Sequence, residues 1–189
     1  MPLGFLVAAV FFVLAEPRGK TLIIGGAVAL VGLAVRAWSA GHIRKNAELA
    51  TSGPYAYTRN PLYLGTFILG VGFTIAAAGN WWLLYLVLGG MFAALFLGIY
   101  LPVMRVEAST LAQLFGEDYR RYAAQVPLLF PRFTPYDGGS GDEDGEREGG
   151  RGRGLKFDLS LYLRYREYRA ALGLLLGWGV LALKALLVR

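Results

Sequence analysis

Residues 61–101 read PLYLGTFILGVGFTIAAAGNWWLLYLVLGGMFAALFLGIYL, without one charged side chain. Gly79-Asn80 divides this stretch into two apolar runs, Pro61–Ala78 and Trp81–Leu101. Each is long enough to cross a hydrocarbon core of about 30 Å as a helix. A connection that short makes the two helices antiparallel neighbours and returns the chain to the side it left. The segments flanking this hairpin therefore meet at one membrane face. In front of it stands Gly53-Pro54-Tyr55-Ala56-Tyr57-Thr58-Arg59-Asn60; behind it come Glu107, Leu111, Phe115-Gly116-Glu117-Asp118-Tyr119, Tyr122 and Val126-Pro127. Arg59 and Glu107 are expected to face one cavity there.

Working outward, Pro2–Ala15, Thr21–Trp38 and Ala170–Val188 are further apolar runs, and 56 % of the 189 residues are hydrophobic. The expected fold is an all-α, polytopic integral membrane protein with about five transmembrane helices. The first run is short for a bilayer and lacks the basic flank of a secretory signal, so it reads as a retained helix. Residues 1–136 form the membrane core. Residues 137–154, rich in Gly and charge, read as a flexible linker. Residues 155–189 read as a basic, aromatic interfacial helix followed by a final hydrophobic helix, in which Lys184 is placed to snorkel. A tail joined through such a linker is expected to be dispensable for a cofactor site in the core.

The chain has no cysteine and one histidine, which excludes disulfides, thiolate metal sites and multi-histidine centres. No metal is expected. The formal charge of +6 is concentrated after the second and fourth helices, at Arg36, Arg44, Lys45, Arg59, Arg105, Arg120, Arg121 and Arg132. The positive-inside rule puts these segments, and the site, in the cytoplasm. The membrane is then a bacterial or archaeal inner membrane or the endoplasmic reticulum. Anionic lipid headgroups account for the basic charge, and no nucleic-acid partner is expected. The sequence leaves the oligomeric state open.

Asn60-Pro61 is a helix start: Asn is a favoured N-cap and Pro a favoured first helical residue. Arg59 beside that positive dipole end suits a carboxylate or phosphate, and it equally suits snorkelling to lipid. Glu107 suits a cationic ligand group such as an amine, or an ion pair with Arg59 or Arg105. Ser109–Leu114 continue as helix, Gly116 fits its C-cap, and Glu117-Asp118 open a new helix with Tyr119 and Tyr122 on one face. His42 reads as a solvated loop histidine before it reads as a general base. No strand precedes a Gly-x-Gly-x-x-Gly pattern, which removes a Rossmann domain.

The two motifs resemble those of the isoprenylcysteine carboxyl methyltransferases and the related membrane phospholipid methyltransferases. Ser52-Gly53, Tyr55, Arg59, Pro61, Tyr63 and Gly65 match the first family pattern. Glu107, Leu111, Phe115-Gly116, Tyr119, Tyr122 and Val126-Pro127 match the second. The resemblance implies S-adenosyl-L-methionine as cofactor, held by Glu48, Leu49, Ala50, Tyr55, Arg59, Asn60, Pro61, Leu62, Tyr63 and Glu107. Arg59 and Glu107 would position the reactants, with Arg105 a candidate contact for the acceptor. Asn60 stands where the family has His, Ala108 where it has a second Glu, and Val103 where it has its acceptor-contacting Arg. The activity implied is methyl transfer to a lipophilic acceptor, a prenylcysteine-like carboxylate or a lipid, entering from the bilayer. Two other readings remain: an NADPH-dependent membrane reductase similar to the sterol reductases, and a non-catalytic membrane module.

Overall fold

The structure is a computed structural model and describes residues 2–43, 48–137 and 158–187. Arg44, Lys45 and the stretch 138–157, which holds most of the expected linker and the start of the interfacial segment, lie outside the described residues. Among the described residues all regular structure is helical. The helices are α1 (Pro2–Leu14), α2 (Gly19–Ala40), a 3-10 turn (Gly53–Ala56), α3 (Pro61–Ala78), α4 (Trp82–Gln125), α5 (Leu159–Arg164) and α6 (Tyr168–Leu187). Four of them, α2, α3, α4 and α6, are long and apolar enough to cross a membrane. With 13 residues, α1 measures only about 20 Å at 1.5 Å per residue. The expectation of about five spans thus becomes four candidates and one short apolar helix. The protein is an integral membrane protein of the all-α class.

α3 begins at Pro61, where Asn60-Pro61 puts it. α4 runs beyond the apolar stretch that ends at Leu101, in keeping with the helical reading of Ser109–Leu114. It passes through Pro102 and continues to Gln125, with one break at Gly116. The fall in hydropathy after Leu101 is not the end of the helix. At 44 residues, α4 is far longer than a bilayer core of about 30 Å. Gly116 adopts a φ of 54°, left-handed backbone that glycine takes without a Cβ penalty, as expected of a helix terminator.

The chain divides into two compact units. The first comprises the described parts of Met1–Ala34, Gly65–Pro102 and Tyr168–Arg189. Its helices pack through glycine. A Cβ on Gly25 or Gly72 would strike the backbone of the facing helix, and one on Gly32 would lie 2.5 Å from the Leu69 nitrogen and 2.6 Å from the Gly65 oxygen. Small residues let backbones approach where lipid offers no hydrophobic drive for association. This tight seam joins α2 to α3. In the α3–α4 hairpin a Cβ on Gly70 would strike the Phe92 ring, one on Gly89 would make ordinary contact with Thr74, and one on Gly90 would meet open space. α6 stacks Trp178 on Phe73 at 5.4 Å. The Lys184 Nζ donates to the carbonyls of Phe12 (3.0 Å) and Val13 (2.6 Å), capping the end of α1.

The second unit comprises the described parts of Val35–Leu64 and Val103–Glu167. Its core is Tyr119, Tyr122 and Val126, packed with Leu49, Leu111, Phe115 and Tyr136. Tyr119 and Tyr122 sit edge to face at 6.2 Å, as their i, i+3 spacing allows.

Candidate active site

The second unit contains both motifs, and backbone hydrogen bonds bring them together. After α4 the chain runs back along the first motif. Arg59 N–H donates to Pro127 C=O (3.0 Å), Arg132 N–H to Tyr57 C=O (2.9 Å) and Tyr136 N–H to Ala56 C=O (2.9 Å). Side chains reinforce the pairing. The Thr58 hydroxyl donates to Leu129 C=O at 2.9 Å, and the Asn60 amide nitrogen donates to Leu128 C=O at 2.9 Å. Asn60 is thereby a strut between the motifs. Tyr122 donates its hydroxyl to Tyr55 C=O at 2.7 Å and fixes the 3-10 turn from the other side.

These contacts frame one cavity of about 360 Å³, within the roughly 300–1,000 Å³ of small-molecule sites. Of the residues that the sequence nominated, Glu48, Leu49, Ala50, Tyr55, Arg59 and Asn60 line it. So do Leu62 and Tyr63, from the first turn of α3, and Glu107, from α4. Pro61 is fully buried beneath the wall. Arg105 is exposed and not among the lining residues. Neither Arg59 nor Arg105 pairs with Glu107 among the described residues. Glu107 Oε1 accepts a hydrogen bond from the Tyr63 hydroxyl at 3.0 Å, and Arg59 Nη1 donates to the Tyr119 hydroxyl at 3.3 Å. The two groups of opposite charge thus share a cavity without neutralising each other.

Among the described residues the Tyr55 hydroxyl and Arg59 Nε of this wall are buried with no hydrogen-bond partner, as is Nε of Arg36, whose Nη atoms are bonded. Tyr55 is only 5 % exposed. A buried hydroxyl or guanidinium nitrogen without a hydrogen bond costs about 1–3 kcal/mol, so such atoms are uncommon unless something else supplies the bond. Burial pushes the Tyr55 hydroxyl far above the usual tyrosine pKa, and the nearby Tyr122, Glu107 and Glu167 push it the same way. It is held as a neutral donor.

Sequence reasoning missed two cavity residues of opposite charge. Arg36, counted above only among the topogenic positives, lines the cavity, and so does Glu167 from the tail. Arg36 Nη2 meets Glu167 Oε2 at 2.7 Å. The tail is therefore not separate from the site, contrary to the expectation drawn from the linker. No local signal pointed to this pair, whose members are 131 positions apart. His42 is corrected as well. It is buried, with Nδ1 2.8 Å from Trp38 C=O and its ring packed on Gly53, where a Cβ would lie 2.6 Å from Cδ2. It does not line the cavity. Among the described residues no group of three His, Cys, Asp or Glu side chains is arranged to hold a metal ion.

Comparison with known proteins agrees with the motifs. The chain is 37 % identical over 121 residues to the cobalt-zinc-cadmium resistance protein CzcN of Cupriavidus metallidurans, covering 62 % of this chain and 50 % of that one. It is 34 % identical over 113 residues to the nickel-cobalt-cadmium resistance protein NccN of Alcaligenes xylosoxydans xylosoxydans, covering 59 % and 48 %. The chain thus spans about half the length of these curated relatives. No solved structure matches it. Residues 20–118, just over half of the chain and including the first motif, both apolar runs of the hairpin and Glu107, match the phospholipid methyltransferase family. The chain belongs to that family of membrane methyltransferases.

Proposed function

We propose that this protein transfers a methyl group from S-adenosyl-L-methionine to a lipophilic acceptor, in the cavity between the two motifs. The observation that carries the reading is the pair of orphaned buried atoms, Tyr55 Oη and Arg59 Nε, in the wall of a ligand-sized cavity that also holds Glu107, which makes no ion pair among the described residues. This donor set fits an amino-acid moiety. Arg59, at the positive end of α3, suits its carboxylate, and Glu107 suits its ammonium group. Leu49, Ala50 and Leu62 give apolar lining, and Tyr63 adds an aromatic face for a flat heterocycle. The cofactor would supply a methyl group on a sulfonium, a good leaving group. The chain's own residues are left to bind, orient and desolvate. His42 is committed to Trp38, so an acceptor that needs no proton removed, such as a carboxylate, fits this site better than an ammonium.

The concentration of Arg36, Arg59, Arg105, Arg120, Arg121 and Arg132 in the second unit supports a cytoplasmic location for the site. The names of the relatives raise metal handling as another reading, but the cavity residues offer no metal-ligand grouping that favours it. The deciding measurement is thermal stabilisation of the detergent-purified protein. S-adenosylhomocysteine is expected to raise Tm, and NADPH to leave it unchanged. Stabilisation by NADPH alone would point to a reductase, and stabilisation by neither to a non-catalytic module. Mass spectrometry of lipid extracts incubated with deuterated-methyl cofactor then identifies the acceptor.

A further inference from the structure

The segment from Asp158 to Glu167 is docked on the second unit at three points. Asp158 N–H donates to Gly41 C=O at 3.0 Å. Leu161 is buried, 9 % exposed. Glu167 meets Arg36 at 2.7 Å, with side-chain exposures of 12 % and 21 %. Arg36 in turn donates through Nη1 to the carbonyl of Leu62, in the first turn of α3, at 3.4 Å. The ion pair therefore ties this segment to the helix start that carries the first motif. Arg36, Leu62 and Glu167 all line the cavity.

We propose that Glu167 is a ligand-positioning residue of this cavity, supplied by the chain beyond the motifs: locked to Arg36, it makes residues 158–167 one wall of the site, so that docking of this segment and binding of the ligand are thermodynamically linked. The inference rests on the methyl-donor reading only for the choice of probe. Linkage is reciprocal. If the docked segment favours ligand, ligand favours the docked segment. A partly buried ion pair also responds asymmetrically to change: removing one partner strands the other charge in a low-dielectric wall. Arg36 and Glu167 should then behave as one unit, and the double substitution should do no more harm than a single one.

The experiment uses the full chain in detergent, with S-adenosylhomocysteine as probe and titration calorimetry as readout. Glu167→Ala and Arg36→Ala are each expected to weaken binding five- to tenfold, about 1–1.4 kcal/mol. The double variant should fall in the same range, and Glu167→Gln, which keeps a hydrogen bond without the charge, should fall between wild type and Glu167→Ala. Hydrogen exchange provides the readout that a merely structural role would not move. The probe should slow exchange of the Leu161 and Tyr165 amides in wild type and leave them unchanged in Glu167→Ala at saturating probe. Unaltered affinity in Glu167→Ala, additive losses in the double variant, or no ligand effect on those amides in wild type each overturns the inference and leaves the methyl-donor reading standing. Failure of the wild-type protein to bind the probe at all overturns that reading, and this inference with it.

Discussion

In the first unit, helix meets helix where side chains are missing. Gly25, Gly32 and Gly72 put backbone against backbone across α2 and α3, and the polar contacts between segments, such as the Lys184 cap on α1 and the Glu16 N–H bond to Ala77 C=O, lie at helix ends. In the second unit the joints are hydrogen bonds between residues far apart in the chain, from Asn60 to Leu128, Thr58 to Leu129 and Tyr122 to Tyr55. The difference follows from solvent. Where apolar helices face lipid, burying apolar surface gains little, and close van der Waals contact is the remaining drive. Where chain segments carry polar groups out of water, each buried group needs a partner, and the partners specify the geometry. The two units should therefore fail in different ways, by overpacking in one and by loss of single polar atoms in the other.

The largest effect is expected in the first unit. Gly32→Leu drives a side chain into the backbone of α3 at Leu69 and Gly65, contacts that no rotamer relieves. It should destabilise the protein by about 3 kcal/mol, the upper end of ordinary overpacking costs. Gly90→Leu, with nothing within 4 Å of the added Cβ, is the control and should leave stability unchanged or slightly raised. Denaturation in a fixed detergent measures both. Equal effects from the two would show that the α2–α3 seam is not held by close approach.

The second unit should answer through binding. Glu107→Gln removes a charge from an exposed cavity residue that makes no ion pair among the described residues, so stability should hardly move. Affinity for S-adenosylhomocysteine should fall by about 1–2 kcal/mol, the worth of a charge-assisted hydrogen bond. A variant that loses stability and keeps its affinity would make Glu107 part of the scaffold, held through Tyr63.

The same contrast explains what could be read from the sequence. Spans in the first unit are written as composition. Hydropathy marks α2, α3, the first part of α4 and α6, and Asn60-Pro61 marks the start of α3 to the residue. Hydropathy marks the end of the apolar run and not the end of the helix, which is written instead in Gly116. Beyond the apolar run the helix continues past Pro102, which lacks one donor, to the break at Gly116, and a second helical stretch carries on to Gln125. Most of the cavity wall was legible too, since two spaced motifs on either side of a hairpin must converge. Glu167 and Arg36 were not. Their pairing depends on where a distant segment docks, and no periodicity or cap encodes that. His42 misled for a related reason: a polar residue between helices reads as solvated until the Gly53 backbone that accommodates its ring is seen.

A smaller effect is expected at Asn60. Asn60→Ala deletes the bond to Leu128 and leaves that carbonyl only the longer bond from the Thr58 hydroxyl, 3.4 Å, at the joint between the motifs. A loss of about 1 kcal/mol in stability is expected, with a comparable weakening of ligand binding, because the strut and the cavity wall are one structure. Asn60→His, which restores the residue usual in the family, should recover part of both if its ring reaches the same carbonyl. Separate denaturation and titration experiments would show whether the two losses move together, and a binding loss without a stability loss would make Asn60 a ligand contact and not a strut.

The finest test concerns a single oxygen. The Tyr55 hydroxyl is buried without a hydrogen bond, so in the ligand-free protein it is a liability. Tyr55→Phe should stabilise the ligand-free protein by about half a kcal/mol, since an unpartnered buried polar atom is removed and no bond is lost. The same substitution should weaken S-adenosylhomocysteine binding, because the ligand is what completes that hydroxyl. The pH dependence has a definite sign. Burial raises the folded-state pKa of Tyr55 above its ordinary value, so above pH about 10 the unfolded chain releases the proton and the folded chain keeps it. The unfolded state then binds fewer protons, and stability falls as pH rises. The phenylalanine variant lacks this contribution. Its stability advantage should be constant below pH about 10 and widen above it, as denaturation midpoints at pH 8, 9.5 and 10.5 would record. A Tyr55→Phe protein that is less stable than wild type at pH 8 would mean that the hydroxyl is already bonded, by water or by a part of the chain that the structure does not describe, and the orphan argument for the ligand site would lose its strongest member.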